Sequence, residues 1–227
     1  MSDLTLHGYF RSSASYRVRI ALALKSIAFD QAPVHLVRSG GEQLQAAYRS
    51  INPDGVVPAL THTVDGDTHV LTQSLAIVEY LDEVYPDPSL LPAAALDRAY
   101  VRSVALQVAC EIHPVDNLRV LKYLTGTIGA TDEQKTAWYR HWIDLGFGSL
   151  ETRLASDRRV GKLIFGDTPT LADLCLVPQV WNARRFNVPL DAYPTIVRLA
   201  NHAMSLSAFA AAEPSVQPDT EPPPRPH

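Results

Sequence analysis

Residues 10–24 read Phe-Arg-Ser-Ser-Ala-Ser-Tyr-Arg-Val-Arg-Ile-Ala-Leu-Ala-Leu. The hydroxyls of Ser12, Ser13 and Ser15 stand where the alternating segment 4–9 gives way to apolar positions Val18, Ala21, Leu22 and Leu24 at helical spacing. Serines at a strand-to-helix turn can cap the orphan amides of the first helical turn. The same turn directs those amides, and about half a positive charge from the helix dipole, at an anion. The turn carries no cysteine, so the Cys-x-x-Cys pair of a dithiol redox protein is excluded. A thiolate bound there would come from a ligand. On this stretch alone, capping and thiolate binding stand about equal.

Two further places have the same double character. Val57-Pro58 either opens a strand, where a proline lacking an amide is tolerated, or forms a cis bond that presents the Val57 backbone to a peptide-like ligand. Ser74, after Gln73, is either an N-cap or a holder of a ligand carboxylate through its hydroxyl and the amides behind it. In the ligand readings, the helix starts at Ser13 and Ser74 face one groove. No set of metal ligands is read.

The elements that must position these residues follow from the pattern. Segment 4–9 is a strand and the serine turn leads into a helix. Segment 29–36 is a second strand, broken by Arg38-Ser39-Gly40-Gly41, and 42–50 is weakly helical. Strands 59–63 and 68–71 flank Asp65-Gly66, a two-residue hairpin signal. A helix then starts at Ser74, with Leu75, Ile77, Val78 and Leu81 apolar. A parallel βαβ unit followed by a hairpin and a helix is a thioredoxin-like α/β domain.

Residues 86–92 hold Pro86, Pro88 and Pro92 and no periodicity, which marks a linker between a domain 1–85 and an all-helical domain 93–227. In the latter, a helical run over 96–124 is expected to bend near Pro114. A second run spans about 132–155, with Trp138 and Trp142 on one face as packing residues. Thr170 and Asp173 have capping-box spacing before a helix ending near 182–186, and a last helix covers 195–204. From Pro214 the chain is polar and proline-rich and is expected to be mobile at its end.

Composition sets the outer limits. The chain has 227 residues, 46% of them hydrophobic, enough for one large or two small domains. Acidic residues outnumber basic ones 24 to 20, and a net charge of −4 argues against a nucleic-acid binder. No stretch is long and apolar enough to span a bilayer, and residues 1–4 show no secretory pattern. Cys110 and Cys175 lie in apolar helical patterns and are expected as buried, reduced thiols. A cytoplasmic protein is the expectation.

The motifs together resemble the soluble glutathione transferases, and the zeta class, the maleylacetoacetate isomerases, in particular. The resemblance rests on 10–22, Asn52-Pro53, Val57-Pro58-Ala59-Leu60, 73–81, His113-Pro114 with 117–121, 166–180, Asn182-Ala183-Arg184-Arg185-Phe186 and 217–220. It covers essentially the whole chain. It implies glutathione as cofactor, with Ser12 as thiolate partner and Ser13, Ala14 and Ser15 around the sulfur. Gln43 and the Val57-Pro58 backbone would hold the tripeptide, and Gln73 and Ser74 its γ-glutamyl end. His113, Asn117 and Arg119 would border the site. Ala14 stands where eukaryotic members often have cysteine, so no protein thiol can assist there.

The implied reaction is cis–trans isomerisation of a maleyl diketo acid, by addition and elimination of the glutathione thiolate. Arg11 and Arg185 are the expected partners of the substrate carboxylates, since arginine grips planar carboxylates through paired hydrogen bonds. Maleylacetoacetate is the first expected substrate and maleylpyruvate the alternative. A glutathione transferase or dehalogenase, and a non-catalytic binding module, are further alternatives. The fold family implies a homodimer.

Overall fold

The computed structural model describes residues 2–220. They form two compact units, residues 2–88 with 207–220, and Ser89–Leu206.

In the first unit, β1 (Leu4–Gly8), α1 (Ser13–Leu24) and β2 (Asp30–Pro33) form a parallel βαβ motif. A short helix, α2 (Ala46–Arg49), precedes β3 (Ala59–Val64), β4 (Asp67–Thr72) and α3 (Ser74–Val84). The sheet order is β2-β1-β3-β4, with β3 antiparallel to both neighbours. Asp65 and Gly66 both take positive φ, 53° and 91°, the two-residue turn that Asp-Gly favours. Leu4 and Leu6 of β1, Leu60 of β3, Val18, Ile20 and Leu22 of α1 and Ile77, Val78 and Leu81 of α3 are buried. Lys25 closes α1: its buried ammonium meets Asp82 Oδ1 at 2.7 Å and the carbonyls of Tyr85 and Pro88 at 2.6 and 2.8 Å. β2 is shorter than the expected 29–36: the Val34 amide still bonds the Gly8 carbonyl at 2.7 Å, but at His35 a side chain replaces the ladder, the amide donating to Glu42 Oε2 at 2.7 Å.

The second unit is helical: α4 (Ala95–Leu106), α5 (Leu118–Gly126), α6 (Asp132–Ser156), α7 (Leu171–Arg185) and α8 (Pro194–Met204). α7 is its axis, with every residue from Leu171 to Val180 buried. Asp173 accepts from the Thr170 amide and hydroxyl, both at 2.9 Å, and also from the Ile164 amide, so the expected capping box is present and buried. Trp138 and Trp142 pack edge to face at 5.6 Å, as expected.

Three expectations are corrected. The run 96–124 is not one continuous helix: α4 stops at Leu106, Gln107–Ile112 widens into a π-turn, and a turn over 113–117, around Pro114, precedes α5. Cys110 lies on that π-turn and is exposed; Cys175 is buried, and neither is in a disulfide among the described residues. The segment from Ser207 belongs to the first unit rather than to the helical one. There α9 (Ser207–Ala211) and the turn Pro214–Val216 are held by polar side chains. Gln217 Nε2 donates to the carbonyls of Ala211 and Glu213, both at 2.9 Å, so polarity here fastens the chain down. The rest of the proline-rich tail, 221–227, lies outside the described residues. Among the described residues, no helix is long and apolar enough to cross a membrane.

Candidate functional site

Register places the sequence-expected residues of the first unit together. His7 pairs with Ala59, Ala59 with Thr72, and Gly8 with Pro33. The serine turn leaves β1 just after Gly8, the segment holding Gln43 follows Pro33, Val57-Pro58 leads into Ala59, and Gln73-Ser74 follows Thr72. All four connections therefore meet at one edge of the sheet, the carboxyl edge of its parallel strands, where α/β folds bind ligands.

Ser12 is the N-cap of α1, with Oγ accepting from the Ser15 amide at 3.2 Å. The hydroxyl remains half-buried, while Ser13 and Ser15 are buried. Ser15 Oγ in turn accepts from the Tyr9 amide, and a side chain at Gly8 would crowd it at 3.1 Å. The expected cap is thus present at the start of α1. Arg11 does not extend as a free loop charge. Its Nε donates to the Tyr9 hydroxyl at 3.0 Å, and its guanidinium lies 4.9 Å from the Phe10 ring centroid.

Val57-Pro58 is a cis bond. Tyr48 Oη and Asn52 Nδ2 both donate to the Val56 carbonyl at 2.7 Å and fix the approach to it. Among the described residues, neither backbone group of Val57 has a hydrogen-bond partner. Gln43 is buried, and its Oε1 is unpartnered among the described residues.

The start of α3 differs from the sequence reading. Gln73, exposed and with φ of 66°, is the cap residue, and no side chain caps the helix. Ser74 sits one position in, buried, and its Oγ accepts from Arg17 Nη1 at 3.2 Å. Sequence reasoning missed Arg17 and Arg19. The available signal was two charges inside Tyr16-Arg17-Val18-Arg19-Ile20, a helix segment buried at every position. Arg19 donates to the carbonyls of Phe10 at 2.9 Å and Ala212 at 3.0 Å, and so braces the serine turn. Burial lowers its pKa to about 10, with Asp219 and Tyr16 opposing the shift.

In the second unit, Asn117 caps α5 by accepting from the Arg119 amide at 3.1 Å, and the Arg119 side chain is exposed. His113 follows the π-turn, its amide donating to the Val108 carbonyl. Arg185 is exposed, 5.0 Å from the Phe186 ring, which stacks on Tyr139 at 3.7 Å. Arg184 is committed elsewhere, to Asn201 Oδ1 at 2.7 Å. Asp116, beside the α5 cap, was missed. It is buried, and neither carboxylate oxygen has a partner among the described residues.

A βαβ half joined to a hairpin-helix half, a cis-proline before β3, a helix start on either side of it and an all-helical second unit define the soluble glutathione transferases as a class. Residues 11–84 match the model of the glutathione S-transferase N-terminal domain. The chain is 48% identical over 219 residues to a probable maleylacetoacetate isomerase of Vibrio cholerae, covering 96% of this chain and 99% of that one. It is similar to the holo structure of a maleylpyruvate isomerase described as a bacterial zeta-class glutathione S-transferase: TM-score 0.90, 46% identity, covering 96% of this chain and 100% of the other. It is also similar to the maleylacetoacetate isomerase of Anaeromyxobacter dehalogenans with glutathione in its active site: TM-score 0.86, 42% identity, covering 96% and 98%. The chain belongs to the zeta-class glutathione transferase family of maleylacetoacetate isomerases.

Proposed function

We propose that the chain is a glutathione-dependent cis–trans isomerase that converts maleylacetoacetate to fumarylacetoacetate. The observation that carries the reading is the shared sheet edge, where Ser12, Gln43, Val57 and Ser74 meet in a chain of this family. The residues suit glutathione on their own chemistry. The unpaired Val57 backbone matches a peptide backbone, the amides at the start of α3 with Ser74 match a carboxylate, and the α1 start matches a thiolate.

Bound glutathione would supply a thiolate able to add to the conjugated cis double bond and to leave again by elimination, so that no glutathione is consumed. Ser12 donates its hydroxyl hydrogen toward the sulfur while its oxygen still accepts from Ser15. The dipole of α1 adds positive field and lowers the thiol pKa from about 8.5. Ser13, Ala14 and Ser15 form the turn around the sulfur, the Ser15 amide being committed to Ser12 Oγ. Gln43 and Val57-Pro58 hold the peptide, and Gln73 and Ser74 its γ-glutamyl end. Arg11 and Arg185 each pair with a substrate carboxylate, and His113, Asn117 and Arg119 are the helical unit's polar contributors. We read the chain as a cytoplasmic homodimer, the dimer being open to sedimentation analysis.

The maleylpyruvate isomerase at TM-score 0.90 keeps maleylpyruvate as the second substrate. The deciding experiment follows the absorbance of each diketo acid with enzyme and catalytic glutathione, while free thiol is titrated. Turnover with thiol conserved supports an isomerase, and the faster substrate names it. Thiol consumed in step with product would make the chain a transferase. Inertness toward both acids would overturn the reading.

A further inference from the structure

Arg17 is 2% exposed, and of its guanidinium nitrogens only Nη1 has a partner, Ser74 Oγ at 3.2 Å. Nε and Nη2 are buried with no partner among the described residues, and no carboxylate there pairs with the charge. A buried cation without a counter-charge is strongly unfavourable, because its hydration has been removed and nothing replaces it. Ser74, the group Arg17 does touch, stands at the start of an 11-residue helix that no side chain caps. The amides of Ser74, Leu75 and Ala76 have no acceptor among the described residues. Cation, helix dipole and open amides all call for negative charge at one point.

The hydrogen-bond polarity is determined as well. A guanidinium can only donate, so Ser74 Oγ must accept from Arg17. The Ser74 hydroxyl hydrogen is then directed away from Arg17, toward the open end of α3. We infer that Arg17 is a positioning residue that fixes Ser74 as a donor to an anion at the start of α3, the anion being the α-carboxylate of the γ-glutamyl group. The inference rests on the glutathione reading of this edge. Arg17 is too deeply buried to touch the carboxylate. It acts through Ser74, and its charge is offset only when the anion is bound. An uncharged side chain here would leave the Ser74 hydroxyl free to rotate and would remove the charge that favours an anion over a neutral ligand.

Calorimetry on the full chain tests this without turnover. The probes are glutathione and 4-aminobutyryl-cysteinyl-glycine, which is glutathione without the α-carboxylate. The wild-type chain should prefer glutathione by at least about tenfold, the range of a charge-assisted hydrogen bond. Arg17→Met should cut that preference to about threefold or less by weakening glutathione, while the ammonium-ended peptide keeps its affinity or gains slightly, since a like charge has left the site. Arg17→Lys, which keeps the charge and a donor, should retain most of the preference, and it carries the test if Arg17→Met does not fold. Equal weakening of both peptides by Arg17→Met would reduce Arg17 to a structural role and overturn the inference. Loss of the preference in a folded Arg17→Lys would overturn its charge argument. If the wild-type chain bound neither peptide, the glutathione reading itself would fail, a distinguishable result.

Discussion

The Phe10 amide donates to Asp219 Oδ2 at 2.9 Å, joining the start of the serine turn to a residue 209 positions later. Arg19 lies between the same partners, holding the Phe10 carbonyl and the Ala212 carbonyl, and it feels the Asp219 charge. The turn that presents Ser12 is thus braced from the far end of the chain. Asp219→Ala removes one charge-assisted bond and the counter-charge of a buried guanidinium. It should lower stability by about 1–3 kcal/mol and weaken glutathione several-fold. Thermal unfolding with and without glutathione checks both, and an unchanged midpoint with unchanged affinity would show the brace to be idle.

Ser12 has two roles that substitution can separate. Its oxygen caps α1, and its hydroxyl is the proposed thiolate donor. Ser12→Ala should lose about 1 kcal/mol of helix capping and about 10²-fold in turnover, the usual effect of deleting one donor to a developing or resident anion. Ser12→Asp caps a helix equally well but sets a carboxylate against the thiolate. It should keep its unfolding temperature and still lose turnover, with the bound thiol titrating higher than in the wild-type chain. Turnover by Ser12→Asp near the wild-type rate would remove the thiolate role.

Gly146 of α6 lies against Ile112, the last residue of the π-turn. A Cβ there would run into Ile112 Cγ1 and Cδ1. In an isolated helix, Gly→Ala gains about 1 kcal/mol. Overpacking a closed contact costs about 1–3 kcal/mol, and Ile112 is 1% exposed with little room to move. The clash should win, so Gly146→Ala destabilises. Gly126→Ala, with open space at its Cβ position, should not. Urea midpoints of the two variants decide it.

Local chemistry made part of this molecule readable. The serine cap, the Asp-Gly hairpin, Pro58 at the head of β3 and the Thr170–Asp173 box each depend on a few adjacent residues, so the sequence displays them. Arg17 and Arg19 were passed over because a charged residue ordinarily implies solvent, and only long-range packing shows them buried. The π-turn is hidden because apolar spacing continues through Gln107–Ile112, and the turn's contact with Gly146 of α6 joins stretches far apart along the chain. Residues 214–220 looked free because they are polar, yet Gln217 and Asp219 anchor them by side-chain hydrogen bonds that no periodicity encodes.

Asp116 gives the helical unit a pH dependence of definite sign. Burial raises its pKa from 3.8 to about 8, and no hydrogen bond among the described residues opposes that. Between those two values the folded chain keeps a proton at Asp116 that the unfolded chain has already released. Stability contributed by the neutral form is therefore complete below pH 4 and is lost as pH rises toward 8. Tyr139 feels the same charge, its hydroxyl pushed up first by burial and then by Asp116, with Arg185 opposing. Asp173, also raised by burial, adds a slope of the same sign, so the comparison must be with the wild-type chain at each pH. Asp116→Asn removes the titration at nearly constant volume. It should leave the unfolding midpoint nearly unchanged at pH 4 and raise stability by about 1–3 kcal/mol at pH 8, the scale for relieving a poorly solvated polar group. Denaturant titrations at both pH values measure the difference. A parallel shift of the two curves would mean that Asp116 ionises freely in the folded chain.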